Sequence, residues 1–408
     1  MDAAIIERWI AGVAEERGRT GVPAGFPDLP DVPAGRYSDA DFFAAERQAI
    51  WRGTWLYAGH TDQLAEPGDF FVWRYGSAPI LVVRGDDGAI RAFYNTCRHR
   101  GAPIAREAEG RLGRAVVCGY HGWTYDRQGK LRGMSERRDW PAEAAATRDL
   151  VPVRCERLGN WIFLCESASE PPLAEFLEPI ARYFRHLPLD KLRLVSRSRH
   201  QVACNAKLLI ENFLEAYHFR LLHPGTSDRI FDNAGTSIHL WRNGHSMMLS
   251  PNRRENWVDP GTIGMPEMTE ATAIERSHNP SYSIFPNFIV PISPTGMPSV
   301  CIWPLTLRTS AMEVLWFAPD WGSGPRPPLW EKRIANFDRI VAEDIQFAEP
   351  MQATVESPGF TGVPLSYQER RIYHWHEEVD RRIGADKIAA ELRVAPRLAA
   401  HLDEVVHG

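Results

Sequence analysis

The sequence contains no uninterrupted apolar run of about 18 residues, the length that a bilayer-spanning helix needs. Glu7 and Arg8 interrupt its first apolar stretch, so we expect neither a signal peptide nor a membrane segment, and a cytoplasmic location. The chain also lacks an excess of basic residues, because 47 lysines and arginines stand against 52 acidic residues. Nucleic-acid binding and attachment to an anionic membrane are therefore not expected.

Cysteine is scarce as well, with six residues in a chain of 408. Cys97 and Cys118 are the two that lie among histidines, which favours metal binding in a reducing compartment over disulfide formation. A hydrophobic content of 44% with 24% charged residues is that of a globular chain, and the length allows more than one core. A disordered protein and a small disulfide-stapled scaffold are therefore excluded.

Turn signals and apolar runs predict an α+β protein in three parts: an N-terminal arm and helix over 1–52, an all-β domain over 53–168 and a larger domain over 169–408. Asp39 is placed to cap the helix of the first part. In the third part we predict strands at Leu192–Ala203, Ser281–Val290, Val300–Leu307 and Ala311–Ala318, and helices at Lys207–Leu221, Leu329–Glu349 and Ile383–Leu402.

The first group of candidate ligands is Cys97-x-His99 followed, after eighteen residues, by Cys118-x-x-His121. Two thiolates and two imidazoles on two short loops can bind a tetrahedral zinc ion or a Rieske [2Fe–2S] cluster. The usual zinc pattern begins with Cys-x-x-Cys, so the spacing favours the cluster without deciding the matter.

The second group is His218 and His223, which are five residues apart. Five residues turn a regular helix by about 140°, so both imidazoles can meet one ion only if the helix ends or distorts between them. Pro224 makes such an ending plausible because the residue before proline is disfavoured in the α region. With one carboxylate, two such histidines form the facial triad of non-haem Fe(II) enzymes.

The carboxylate is expected on the helix over Leu329–Glu349. Asp344 lies close to a stripe formed by Phe337, Val341 and other apolar residues, whereas Glu343 falls off it. A buried carboxylate there needs a cation or hydrogen bonds. Glu215, three residues before His218, is the local alternative, so the residues alone leave the third ligand open between Glu215 and Asp344.

In Cys97-Arg98-His99-Arg100-Gly101-Ala102-Pro103 and Cys118-Gly119-Tyr120-His121-Gly122-Trp123-Thr124-Tyr125 the chain resembles the large subunit of Rieske non-haem iron oxygenases. The resemblance implies a Rieske domain followed by a catalytic domain of antiparallel sheet and helices, of helix-grip type. It implies a cluster on Cys97, His99, Cys118 and His121, and a mononuclear Fe(II) on His218, His223 and Asp344.

The resemblance also gives Glu215 a role as a bridge. In the family this position hydrogen-bonds an iron-binding histidine and connects it to the Rieske histidine of an adjacent subunit. Most members carry Asp there, and Glu215 is similar to the branch that oxidises quaternary ammonium compounds. Asn212 and three of the 14 tryptophans, Trp241, Trp257 and Trp303, are the candidate substrate contacts.

The implied function is that of a terminal oxygenase that uses O2 to hydroxylate or dealkylate a small organic substrate. The chain has no Gly-rich dinucleotide motif, so NAD(P)H is expected to act through a separate reductase, with or without a ferredoxin. The resemblance implies a homotrimer. Two alternatives stay open: an aromatic-ring dihydroxylating α subunit that requires a β subunit, and a Rieske electron carrier with no oxygenase chemistry.

Overall fold

A computed structural model describes residues 1–254 and 257–403. The chain forms two compact units: a small unit over 51–173, and a large unit made of 1–50 together with 174–408. Residues 1–50 thus join the large unit by their contacts, whereas the sequence suggested a separate arm. Among the described residues, no helix is long and apolar enough to cross a bilayer.

The helices, in chain order, are α1 (Ala3–Gly18), α2 (Ala40–Ala49), α3 (Leu173–Phe176), α4 (Glu178–Ala181), α5 (Ala206–Asn212), α6 (Phe219–Leu222), α7 (Ser227–Ile230), α8 (Ala273–Ser277), α9 (Leu329–Val355) and α10 (Arg370–Ile383). The strands are β1 (Val32–Pro33), β2 (Leu56–His60), β3 (Asp69–Trp73), β4 (Ile80–Arg84), β5 (Ile90–Tyr94), β6 (Glu109–Arg111), β7 (Val116–Val117), β8 (Thr124–Tyr125), β9 (Leu131–Gly133), β10 (Pro152–Leu158), β11 (Trp161–Cys165), β12 (Arg193–Val202), β13 (Ser237–Leu240), β14 (Ser246–Pro251), β15 (His278–Ile284), β16 (Phe288–Pro291), β17 (Met297–Thr306), β18 (Thr309–Ala318) and β19 (Gly362–Val363).

The small unit is all-β, as predicted. Its seven-stranded sheet has the order β2-β11-β10-β5-β4-β3-β6. A separate three-stranded sheet, β7-β8-β9, is formed by the segment between β6 and β10. Every pairing is antiparallel, and short turns join β3 to β4, β4 to β5 and β10 to β11. Cys97, Cys118, Trp123 and Tyr125 belong to the hydrophobic core of this unit, so both cysteine loops start from packed positions.

The large unit contains a second seven-stranded antiparallel sheet, with the order β12-β18-β17-β16-β15-β14-β13. Strands β17 and β18 are buried over nearly their whole length, in keeping with their mainly apolar sequences. The two-stranded pair β1-β19 joins the N-terminal part of this unit to its C-terminal part. The Asp39 cap of α2 is confirmed, since its side chain accepts a 2.7 Å hydrogen bond from the Phe42 N–H.

Four element predictions need correction. The helix predicted over Lys207–Leu221 breaks at Asn212, because the Glu215 carboxylate accepts hydrogen bonds from the Tyr217 and His218 N–H groups that a continuous helix would use. The predicted strand over Ser281–Val290 is two strands, β15 and β16, joined by a turn at Pro286. The helix from Leu329 runs on to Val355 with Pro350 inside it.

The fourth correction concerns the helix predicted over Ile383–Leu402. The helix of this region is α10, which ends at Ile383 because Gly384 takes a φ of +94°. Sequence periodicity misses α10 because Arg371, His374 and His376 are buried along with its apolar residues. Strands β13 and β14, which flank a turn at Asn243, were also not predicted.

Candidate metal centres

Two loops of the same geometry carry the cysteines and histidines of the small unit. Cys97 N–H donates to the Ala102 carbonyl at 2.8 Å and Gly101 N–H donates back to the Cys97 carbonyl at 3.0 Å. Cys118, Gly122 and Trp123 repeat both bonds at the same distances. Each loop needs its glycine, since Gly101 and Gly122 have φ values of +78° and +69°.

The four side chains of these loops gather as two pairs. The two cysteines are buried, and the two histidine rings lie with their centroids 4.4 Å apart and are partly exposed. In a Rieske cluster the two cysteines hold one iron and the two histidines hold the other, so this pairing of like ligands suits such a cluster.

Aromatic side chains surround the pairs. The Trp123 ring stacks on the His99 ring with centroids 5.0 Å apart, and the Tyr125 hydroxyl lies 3.5 Å from Cys97 Sγ while it accepts a 3.0 Å hydrogen bond from the Arg98 N–H. Burial, together with the neighbouring Cys118, raises the pKa of the Cys97 thiol. Burial also lowers the pKa of His99, with His121 adding to the effect. The lowered pKa keeps the His99 ring neutral and able to bind iron, whereas at Cys97 a bound metal has to displace the thiol proton.

In the large unit, the one-turn helix α6 separates the two predicted iron-binding histidines. His218 directly precedes α6 and His223 directly follows it, and His223 N–H donates to the Phe219 carbonyl at 3.0 Å. Because this single turn is not part of a longer helix, the two rings come together edge to face with centroids 5.1 Å apart. The expected end of the helix is therefore present at His223. A second interruption lies before His218, between α5 and α6.

Asp344 of α9 completes the group. Its Oδ1 lies 3.0 Å from Nε2 of His223 and 3.8 Å from Nε2 of His218, and the three residues can place their ligand atoms within 4.8 Å of one another. Asp344 is 4% exposed, as its place beside the apolar stripe suggested. Two imidazoles and one carboxylate converging in this way suit a divalent iron ion with open coordination positions.

A glutamate holds the other nitrogen of each histidine. His218 Nδ1 contacts Glu215 Oε1, and His223 Nδ1 lies 2.7 Å from Glu343 Oε2. A glutamate that accepts from Nδ1–H fixes the tautomer in which Nε2 keeps its lone pair for a metal. Although desolvation opposes it, hydrogen bonding and charge interaction with Asp344 and Glu343 raise the pKa of His223.

Glu343 is the functional residue that sequence reasoning missed. The sequence presents it only as a competing metal ligand, less favoured than Asp344 because it lies off the apolar stripe of α9. The structure gives it a supporting position, where it also accepts a 3.0 Å hydrogen bond from the Thr226 hydroxyl. Its position next to Asp344 was the available signal in the sequence. Adjacent helical residues point about 100° apart, so Glu343 can lie near the metal site without sharing the direction of the ligand Asp344.

A cavity of about 1520 Å³ opens beside the triad within the large unit. Its wall includes His218, His223 and Asp344, and also Asn212 and Trp257, two of the four predicted substrate contacts. The buried Nδ2 of Asn212 has no hydrogen-bond partner in the described part of the chain, which leaves a donor for a bound molecule.

The other two predicted contacts are corrected. Trp241 and Trp303 are fully buried and do not line the cavity. Trp303 instead donates from Nε1 to Glu313 at 3.1 Å, and Trp241 packs against Tyr183 in the core. Trp316 lines the cavity and was not predicted, because the apolar run over 314–318 does not indicate which of its side chains faces a cavity.

Comparison with known protein families gives two matches. The model described as "Ring hydroxylating alpha subunit (catalytic domain)" matches residues 189–385, and the model described as "Rieske [2Fe-2S] domain" matches residues 54–147. The two matches together include more than two thirds of the chain, and between them they contain all seven predicted metal ligands.

Two relatives illustrate the similarity. The glycine betaine monooxygenase oxygenase subunit of Chromohalobacter salexigens is 34% identical over 197 residues, 47% of this chain and 43% of that protein. The carnitine monooxygenase oxygenase subunit of Acinetobacter pittii is 30% identical over 220 residues, 51% of this chain and 58% of that protein. The chain thus matches about half the length of these relatives.

Solved structures share the fold at low sequence identity. The quaternary ammonium Rieske monooxygenase CntA, in complex with an inhibitor, superposes with a TM-score of 0.74 at 20% identity, covering 89% of this chain and 99% of that one. Naphthalene 1,2-dioxygenase from Rhodococcus sp., bound to indole, superposes with a TM-score of 0.73 at 20% identity, covering 94% and 99%.

Proposed function

The chain belongs to the family of Rieske-type ring-hydroxylating oxygenase α subunits, and from this premise we propose that it is the terminal oxygenase of a multicomponent system. The observation that carries the proposal is the convergence of His218, His223 and Asp344 beside a cavity large enough for an organic molecule. A Rieske protein that only carried electrons would have no use for this second site. The electron-carrier alternative is therefore not favoured.

Each centre has a defined set of residues. Cys97, His99, Cys118 and His121 would hold the [2Fe–2S] cluster, and the triad would hold Fe(II). When bound, these groups supply single-electron delivery and dioxygen activation. The residues around the triad provide orientation, since Glu215 and Glu343 direct both Nε2 atoms toward Asp344.

Both metal sites have exposed apolar side chains next to them. Tyr217 and Leu221, on either side of His218, are 74% and 88% exposed. Tyr120, beside His121, is 55% exposed. We include in the proposal a homotrimer in which these surfaces meet neighbouring copies and Glu215 receives the Rieske histidine of the adjacent subunit. A separate NAD(P)H-dependent reductase, with or without a ferredoxin, would supply the electrons.

The proposed substrate is a small quaternary ammonium compound, which is hydroxylated or dealkylated. Two relatives carry the names of glycine betaine and carnitine monooxygenases, and Glu215 stands where most members of the family have Asp. Trp257 provides an indole face on the cavity wall for a cationic group. Aromatic dihydroxylation with a β subunit is the alternative outcome of a substrate test.

Replacement of Asp344 tests the proposal. The purified chain should be red-brown and should oxidise a quaternary ammonium substrate in the presence of a surrogate reductase. Asp344→Ala should lose turnover and one iron per chain while the visible spectrum of the cluster stays intact. Glu331→Ala, which removes an exposed carboxylate from the first turn of the same helix, is the matched control and should change neither.

Two results would contradict the assignments. Full turnover by Asp344→Ala would move the third ligand to another carboxylate. A colourless protein with one bound zinc and no inorganic sulfide would refute the cluster. The trimer is tested separately by mixing inactive Cys97→Ala chains with inactive Asp344→Ala chains, which should restore partial activity. No recovery in mixed trimers would argue for electron transfer within one chain.

A further inference from the structure

One face of α9 forms a continuous strip along the cavity. Its members follow helical spacing, from the metal ligand at one end to a cationic side chain at the other: Asp344, Ile340, Phe337, Asn336 and Arg333. Eleven residues separate the two ends, which is close to three full turns, so Arg333 and Asp344 point to the same side of the helix. The apolar Phe337 and Ile340 lie between the two charged ends.

Arg333 is a buried cation without an ion pair. It is 9% exposed, and within residues 1–254 and 257–403 its guanidinium bonds to uncharged side chains and forms no ion pair. The negative charge of Asp259 acts on Arg333 through space and raises its pKa. The Asp259 carboxylate itself accepts a 2.8 Å hydrogen bond from the Gly261 N–H. Desolvation lowers the pKa of Arg333 to about 10, so the guanidinium remains charged at neutral pH. An unmatched buried charge is costly unless a ligand neutralises it.

The guanidinium also has hydrogen-bonding capacity left. Nη1 donates to the Thr295 hydroxyl and to Met265 Sδ, and Nη2 donates to the Ser293 hydroxyl at 2.9 Å. Because arginine has five N–H donors, Nε–H and one N–H on Nη2 are without an acceptor in the described part of the chain. Two such donors suit the two oxygens of a carboxylate.

Two tryptophans hold this group in place. The Arg333 guanidinium carbon lies 5.1 Å from the ring centroid of Trp316 and 5.6 Å from that of Trp330. Both indoles are almost fully buried, so they restrict the side chain and keep water away from one side of the charge. A fixed, poorly hydrated guanidinium binds an anion more strongly than a mobile surface arginine.

We propose that Arg333 binds a carboxylate of the substrate at the end of the cavity opposite the iron site. This proposal rests on the proposed function and narrows its substrate class. At 1.5 Å per residue, eleven residues place the two ends of the strip about 16 Å apart. Allowing about 3 Å for the hydrogen bond to Arg333 and about 2 Å for a metal–oxygen bond leaves roughly 10 Å for the substrate between its carboxylate and the carbon that is oxidised.

The substrate class is therefore an elongated carboxylate with an apolar middle, longer than glycine betaine. This length also fits the cavity, because about 1520 Å³ exceeds the roughly 300–1,000 Å³ of ordinary ligand pockets. A quaternary ammonium group at the oxidised end is compatible with the strip, since the carboxylate binds at the other end.

The first test uses the unaltered holoenzyme and requires no variant. A series of ω-trimethylammonio carboxylates, from glycine betaine to the octanoate, is compared with the matching methyl esters by calorimetric binding and by product formation with a surrogate reductase. The acids should bind roughly 10- to 100-fold more tightly than their esters, with the best binding among the longer members. Equal binding of acids and esters, or best binding of glycine betaine, would overturn the proposal.

The second test replaces the cation. Arg333→Met should weaken binding of the best acid roughly 10- to 100-fold and leave binding of its ester nearly unchanged. Arg333→Lys keeps the positive charge and so controls for a folding defect in Arg333→Met. It should recover only part of the affinity for the acid, because a lysine cannot form the two-donor contact. Arg339→Met is the matched control, since Arg339 is an exposed arginine of the same helix that also lines the cavity.

The two proposals fail in different ways. If acids bind in an Arg333-dependent manner but no compound is oxidised, the oxygenase proposal fails and the carboxylate site stands. If compounds are oxidised but acid and ester lose affinity equally in Arg333→Met, or if Arg339→Met has the larger effect, the carboxylate site fails and the oxygenase proposal stands.

Discussion

Acidification should destabilise the large unit through His245. This imidazole is fully buried between two backbone groups: Nε2–H donates to the Phe176 carbonyl at 2.9 Å, and Nδ1 accepts from the Phe285 N–H at 3.1 Å. A proton on Nδ1 would place two donors face to face. Desolvation accordingly lowers the pKa of His245 to about 4 in the folded chain.

The size of the effect follows from proton linkage. An unfolded imidazole has a pKa of about 6.5, so between this value and about 4 the unfolded chain binds more protons than the folded one. The contribution of His245 to stability is fully present above about pH 6.5 and is lost as the pH falls toward 4. Lowering the pH from 7.5 to 5 should cost about 2 kcal/mol, against a ceiling of roughly 3 kcal/mol.

Urea unfolding of wild type and His245→Gln at pH 5, 6 and 7.5, followed by tryptophan fluorescence, measures this loss. Glutamine can accept from one backbone group and donate to the other but does not titrate, so the variant should lose about 2 kcal/mol less than wild type on acidification. His401→Gln, at an exposed position, controls for the loss of any histidine. Equal losses in wild type and His245→Gln would refute the reasoning.

Three further predictions concern the metal centres. Glu343→Ala should weaken iron binding at the triad roughly 10- to 100-fold because His223 loses its Nδ1 partner, and chelator competition that shows wild-type affinity would contradict this role. Glu215→Gln should keep both metals loaded but slow reoxidation of the reduced cluster in stopped-flow measurements, whereas a wild-type rate would remove Glu215 from the route. Tyr125→Phe removes a hydrogen bond to a cluster thiolate worth about 1 kcal/mol, so voltammetry should find the reduction potential lower by roughly 40 mV, and an unchanged or higher potential would speak against that bond.

The sequence indicates a metal site best where ligands are close together in the chain. Cys97 and His99 lie on one short loop, so their spacing alone limits what they can bind. Asp344 was accessible because a carboxylate beside an apolar helical stripe needs a partner. His218 and His223 were accessible through the angle argument, which required a break in the helix.

What the sequence did not indicate depends on contacts between distant segments. Glu343 supports His223 only because α9 approaches the chain after α6, and the two residues are 120 positions apart. Trp241 and Trp303 could not be distinguished from cavity residues, because a buried tryptophan and a cavity tryptophan have the same local sequence environment. The importance of Arg333 is likewise invisible in the sequence, since only the fold reveals that its charge is buried and unpaired.

The proposed ligands of the iron site are far apart in the chain, which bears on its folding. His223 and Asp344 are 121 residues apart, and most of the second antiparallel sheet is formed by the residues between them. An ion held by both residues would bind the folded chain and not the unfolded one, so it would stabilise the closed loop by mass action. Iron bound there would therefore hold distant segments together as well as supply chemistry, and a metal-free preparation should unfold more readily than a loaded one.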